Sequence, residues 1–131
     1  MIAVDTNVIV RLLVGDDRTQ FAKARRLFDD RAGQDGAVWV SQTVLVELAW
    51  VLSRTYGRSR AEVAGAVRAL ASNATVALED SESVAQAMVL YESGSADLAD
   101  CLLAAKAARQ GAEFLATFDR GMRSLPGVRV L

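Results

Sequence analysis

At 131 residues, with 52% hydrophobic and 24% charged side chains and a formal net charge of −1, the chain has the composition of one globular domain with its own core. Its bulk charge announces no nucleic-acid partner. It contains no histidine, which excludes Ser-His-Asp and Cys-His catalysis, histidine acid–base pairs and histidine-ligated zinc, and its one cysteine, Cys101, cannot form an internal disulfide.

A single cysteine fits a reducing, intracellular setting. No apolar run approaches the roughly 18 residues needed to cross a bilayer, and the N-terminus lacks the basic start and apolar stretch of a signal peptide. The expectation is a soluble, cytoplasmic protein with no membrane partner. Of the 15 basic residues only Lys23 and Lys106 are lysines. Arginine suits bidentate phosphate contacts, but the abundance of Ala, Val and Gly points to a general compositional bias.

In chain order, "IAV" at 2–4 is a short apolar run, followed by a helical pattern through Val8, Leu12 and Leu13. Asp16 and Asp17 precede "RTQFAKARRLFDD", in which Phe21, Ala24, Leu27 and Phe28 recur at helical spacing. "GQDG" at 33–36 is a turn, and "AVWV" at 37–40 reads as a buried strand. The spacing then predicts a helix from Thr43 to Thr55 with Val44, Leu45, Leu48, Val51 and Leu52 on its core face, a break at "YGRSR", and a helix over about Ala61 to Ala71. "TVAL" at 75–78 is a third strand, "SESVAQAMVLYE" a helix, and "GSADLADCLLAAKAARQG" a helix stopped by Gly111. "EFLATF" and "VRVL" supply two last strands. Strands alternating with helices imply a mainly parallel sheet of four to five strands covered on both faces, an α/β/α sandwich in a single domain spanning 1–131.

Ligands of such sheets bind outside the carboxyl ends of the strands. Asp5 follows the first strand, Asp119 the fourth, Glu47 sits early in the helix after the second, and Asp97 and Asp100 begin the helix leading into the fourth. All five are expected at one edge of the sheet. Each has a structural reading too. Asp5 and Asp97 are good helix caps, Asp100 sits where negative charge favours the helix dipole, and Asp119 before "RG" is a turn residue. Glu47 is harder to dismiss, because it interrupts "VLVELAWVL" at the border of the apolar face. Converging carboxylates without a lysine nearby repel one another and raise each other's pKa. A divalent cation relieves that conflict, and oxygen-only ligands suit Mg²⁺ or Mn²⁺. Phosphodiester hydrolysis is the natural reaction of such a centre.

Four stretches, "AVDTNVIVRLLVGDD", "VLVELAWVL", "SADLADCLLAAKA" and "FLATFDRG", resemble the four motifs of the PIN domain in order and spacing, and the compact length is most similar to the VapC-type toxins of toxin–antitoxin pairs. The resemblance implies a ribonuclease whose acidic cluster, here Asp5, Glu47, Asp100 and Asp119, binds Mg²⁺, with Mn²⁺ as a substitute, and leaves a 5′-phosphate and a 3′-hydroxyl. It implies Asp97 as a possible auxiliary carboxylate, an RNA substrate, a homodimer and a cognate protein antitoxin. Thr6 and Thr117 are hydroxyls beside the implied site, for which packing or backbone bonding is the expected role. Trp39, Trp50 and Tyr91 suit either an interface or the core, with core packing the default, and Arg58 and Arg60 either touch RNA phosphates or line a solvated loop. Two rival readings stand beside this one. An aspartyl-phosphate-forming phosphotransferase also begins with an Asp after an apolar strand, but expects a second Asp where this chain has Asn7. A non-catalytic RNA- or protein-binding module of the same fold would lack some of the acids, all of which are present.

Overall fold

The computed structural model describes residues 1–131 and forms two compact units, Met1–Glu79 and Asp80–Leu131. In the first, strand β1 (Ile2–Ala3) leads through helices α1 (Thr6–Val14) and α2 (Arg18–Asp29) to β2 (Val38–Val40), then through α3 (Gln42–Arg54) and α4 (Arg60–Ser72) to β3 (Val76–Leu78). The three strands form one parallel ladder in the order β1-β2-β3, with Ile2 opposite Val38 and Val38 opposite Val76. Pairs of helices serve as the crossovers that parallel neighbours require.

Local chemistry sets the helix ends. Gly15 stops α1 in the left-handed region at φ 66°, donating its N–H to the Arg11 carbonyl at 3.2 Å. Asp17 caps α2 through the Gln20 amide at 2.9 Å. Helix α3 begins at Gln42 rather than Thr43, because the Ser41 hydroxyl accepts from the Val44 amide at 3.1 Å. Ser59 and Glu62 form a reciprocal capping box at the start of α4, each bond 3.1 Å.

The core of this unit is Ile9 on α1, Val38 and Val40 on β2, Leu45 and Leu48 on α3, and Val63 and Val67 on α4, all at most 1% exposed. Each such side chain contributes about 1.5–3 kcal/mol by burial. The expected core face of α3 holds for Val44, Leu45, Leu48 and Leu52, while Val51 is half-buried. Of the aromatic residues assigned by default to the core, Tyr91 is buried, Trp39 is half-buried and Trp50 is 61% exposed. Trp50 lies on the face of α3 that also carries Thr43, Glu47 and Arg54, all exposed.

The second unit pairs α5 (Ser81–Ser93) with α6 (Leu98–Arg109). Val84, Ala87, Met88 and Tyr91 are buried on α5, and Leu98, Cys101, Leu102 and Ala105 on α6, at the spacing of a helical stripe. Asp80 starts α5 from the left-handed region at φ 49°, with its carboxylate accepting from the Ser83 amide at 3.3 Å and the buried Ser83 hydroxyl at 2.6 Å. Two bonds to one residue hold a conformation that non-glycine residues rarely adopt. Gly111, at φ 75°, ends the α6 segment as expected. Strands β4 (Leu115–Thr117) and β5 (Val128–Val130) pair in parallel, Leu115 opposite Val128, across a link that contains a 3₁₀ turn at Arg120–Met122. All five expected strands are therefore present and every pairing is parallel, in one ladder of three and one of two. No helix is long and apolar enough to cross a membrane.

Candidate active site

In the first unit, every strand end carries an oxygen-bearing side chain. Asp5 stands two residues beyond β1, Ser41 directly after β2 and Glu79 directly after β3. Asp5 is the N-cap of α1, a role the sequence reading had set against that of a metal ligand. Its Oδ1 accepts from the adjacent Thr6 amide at 2.8 Å. Such a bond reaches one residue, short of the second or third amide that a typical cap engages, and it leaves Oδ2 without a partner. The next residue, Thr6, is 3% exposed and its hydroxyl has no hydrogen-bond partner. Glu47 is exposed on α3, with no hydrogen bond or ion pair.

Glu79 was not singled out from sequence. Its carboxylate accepts from the Gln42 amide, the first N–H of α3, at 2.9 Å, and its own amide donates to the Val40 carbonyl at 2.9 Å. The available signal was position, since it follows "TVAL" as Asp5 follows the first strand. It places negative charge at a helix N-terminus, where the dipole favours it.

In the second unit, Asp97 caps α6 by accepting from the Asp100 amide at 2.9 Å. Asp100 therefore occupies the third position of the first turn, half-buried, with its carboxyl facing that of Asp97. Asp119 lies just beyond β4, where its Oδ1 accepts from the Gly121 amide at 2.7 Å and starts the 3₁₀ turn. Its own amide donates to the Thr117 hydroxyl at 3.0 Å, giving Thr117 the backbone-bonding role expected of it.

These three carboxylates feel one another. The Asp100 carboxyl is pushed up to about 6, first by burial, then by the charge of Asp97 and its hydrogen bond, and by the charge of Asp119. Burial and like charge both favour the neutral acid. The structure thus brings Asp97, Asp100 and Asp119 together, as a group in need of positive charge. Asp5 and Glu47 stand in the other unit, each with free oxygen atoms. Arg58 and Arg60 are exposed, and Arg58 reaches Glu62 at 3.4 Å.

No group of three or more His, Cys, Asp or Glu side chains stands close enough to make a ready-made metal cage. Mg²⁺ needs none. It is usually held by one or two carboxylates, several waters and the phosphates of the substrate. An oxygen-only donor set with one member pushed toward its neutral form fits such a hard cation by charge and donor type.

A family profile described as PIN domain matches residues 2–128. Among curated proteins none matches the chain. Among solved structures, the VapC20 toxin of Mycobacterium tuberculosis, described as cleaving the sarcin-ricin loop, is similar at 25% identity and a TM-score of 0.44, over 99% of this chain and 98% of that one. With nearly its whole length matched by the family profile, the chain belongs to the PIN domain family.

Proposed function

We propose that this protein is an Mg²⁺-dependent endoribonuclease that hydrolyses RNA phosphodiester bonds, with Mn²⁺ able to substitute, and that it acts as the toxin of a toxin–antitoxin pair. The observation that carries the reading is the Asp97, Asp100 and Asp119 cluster, in which burial first, and then the charges of Asp97 and Asp119, hold the Asp100 carboxyl at about 6, in a chain of the PIN domain family. A structural cap has no need of such a conflict, whereas a centre built to receive a divalent cation does. In this reading the two units serve as one domain, and Asp5, Glu47, Asp100 and Asp119 are the ligands and catalytic carboxylates.

The bound cation would supply Lewis acidity at the scissile phosphate and lower the pKa of an attacking water. The chain's own residues do the rest. Asp100 and Asp119 hold negative charge at fixed positions, because Asp97 and the Gly121 amide restrain the backbone beneath them. Asp5 keeps its place through the Thr6 amide while offering its second oxygen. Glu47 offers an unpaired carboxylate from a helix turn, more rigidly than a loop would.

The test is cleavage of total RNA by the purified protein, with new 5′ ends mapped. Cutting should require Mg²⁺ or Mn²⁺ and stop in EDTA. Full activity in excess chelator overturns the reading. A protein that binds Mn²⁺ and cuts no RNA instead supports the non-catalytic alternative. The antitoxin and the homodimer follow from the same reading. Co-expression with the product of a neighbouring small open reading frame should suppress cleavage, and the mass of the free protein in solution should be that of two chains.

A further inference from the structure

We propose that the cleft between α1 and α2 is a nucleotide subsite that selects the base beside the cleaved bond, an inference that rests on the ribonuclease reading. The cleft, of about 400 Å³, is lined by Asn7, Val8 and Arg11 of α1 and by Gln20, Lys23, Ala24 and Leu27 of α2. Its volume lies in the range of small-ligand sites. Asn7 stands two residues beyond Asp5 in the first turn of α1, so the cleft begins at the end of the helix that Asp5 caps.

Its walls are of two kinds. Val8, Ala24 and Leu27 offer apolar surface suited to the faces of a base. Asn7, Gln20 and Lys23 offer polar groups suited to its edge and to a phosphate. The Gln20 amide is held in place: Arg11 donates from Nε to its Oε1 at 2.5 Å, and the same guanidinium donates from Nη1 to Asp16 at 3.0 Å and to the Tyr56 hydroxyl at 3.3 Å. Tyr56 in turn donates to Asp16 at 2.9 Å. Residues from α1, its following loop, α2 and the turn after α3 thus fix one side-chain amide with its NH₂ free to donate. Preorganisation of this kind is what base selection requires, because a fixed donor leaves a mismatched base with an unanswered polar group.

Charge selects the class of ligand. Asp16 offsets Arg11, whereas Lys23 has no ion pair or hydrogen bond, and neither has the Asn7 amide. An apolar peptide segment would leave both amides and the ammonium unanswered. A nucleotide of single-stranded RNA answers all three, and single-stranded bases are read along their hydrogen-bonding edges.

The experiment titrates the four 5′-mononucleotides into the ¹⁵N-labelled protein in EDTA, so that the response is independent of bound metal, and follows backbone amides. One nucleotide should shift Asn7, Val8, Gln20 and Lys23 at lower concentration than the other three. Gln20→Ala should erase that preference by weakening the favoured nucleotide about three- to tenfold, the worth of one hydrogen bond. Lys23→Ala should weaken all four alike, by up to about fivefold. In parallel, an RNA library randomised around the cut should lose its base preference with Gln20→Ala. The proposal is overturned if no nucleotide moves these amides, if all four bind alike and both variants leave them unchanged, or if the amides shift on changing protein concentration alone, which assigns the cleft to a second copy of the chain. Nucleotide binding with an unaltered cleavage preference in Gln20→Ala also overturns it. If no RNA is cut, the ribonuclease reading fails and the titration alone decides whether the cleft holds nucleotides.

Discussion

Both units start a helix with an aspartate, Asp5 before α1 and Asp97 before α6, and the two caps differ in what they bring together. Asp5 reaches the adjacent amide of Thr6 at 2.8 Å and turns no further along the helix. Asp97 reaches the amide of Asp100 three residues on, at 2.9 Å, folding its carboxylate back over the first turn. That turn contains a second carboxylate. The longer reach therefore sets two acids side by side, and the Asp100 carboxyl rises to about 6, first by its burial and then by the charges of Asp97 and Asp119. An aspartate cap is ordinarily a stabilising device worth about 1 kcal/mol. It becomes a charged centre only when the helix it starts carries another acid one turn in.

The largest expected effect separates the two roles at each position. Asp5→Asn and Asp100→Asn keep size and hydrogen-bonding capacity while removing charge. Each should lower RNA cleavage by at least about 10²- to 10³-fold, the scale for losing one electrostatic contact in a reaction centre. Neither should unfold the protein, since Asn caps nearly as well as Asp and the neutral residue at 100 relieves repulsion. Circular dichroism and a cleavage assay on each variant decide the matter. An Asp5→Asn protein that cuts normally makes Asp5 a cap and nothing more, and an active Asp100→Asn protein removes the acidic cluster from the chemistry.

The next effect is a pH dependence peculiar to the second unit. The folded Asp100 carboxyl titrates near 6 against an ordinary value of 3.8, so between those values the folded state binds more protons than the unfolded one. Stability must then fall as pH rises through that window. Asp16, Glu62 and Asp80 act in the opposite sense. They are held below their ordinary values chiefly by the Tyr56 hydroxyl, the Ser59 amide and the Ser83 hydroxyl respectively. Their contribution is present above the unfolded value and lost only as pH falls below about 4. Subtracting the melting curve of Asp100→Asn from that of the native chain, in EDTA, should isolate the decline. Mn²⁺ should raise Tm more at about pH 7.5 than at about pH 5, because below about 6 it competes with a proton on Asp100. An equal rise at both values would show that the cation binds without Asp100.

How much of this was legible in the sequence depended on the range of the interaction. The Asp97 cap, the stop at Gly111 and the buried stripe of α3 are local, set by residues three or four apart, and spacing finds them. The reach of the Asp5 cap was not legible, because it depends on the angle at which the chain leaves β1. Nor was the bond from the Gln42 amide to Glu79, which joins residues 37 apart. The exposure of Trp50 was missed because an aromatic residue in an apolar run defaults to the core, while helical geometry turned it toward Thr43 and Arg54. The division of five strands into two ladders was missed for the same reason as Glu79, since periodicity marks a strand but not its neighbour.

The smallest effect tests the comparison most directly. Asp97→Asn retains the cap and removes one charge facing Asp100, so its cost in stability should be about 1 kcal/mol or less. Its cut in activity should be smaller than that of Asp100→Asn. What it should change is the titration of its neighbour. With the Asp97 charge gone, burial and Asp119 remain, and the Asp100 carboxyl should fall from about 6 toward 3.8. The stability decline should then begin and end at lower pH, while Asp97→Ala, which also loses the cap, should melt about 1 kcal/mol less stable than Asp97→Asn with a similar pH profile. Carbon-detected NMR of the Asp100 side chain reads the shift directly. An unmoved titration would mean that burial and Asp119 raise the Asp100 carboxyl without Asp97, and the two caps would then differ in geometry and not in electrostatics.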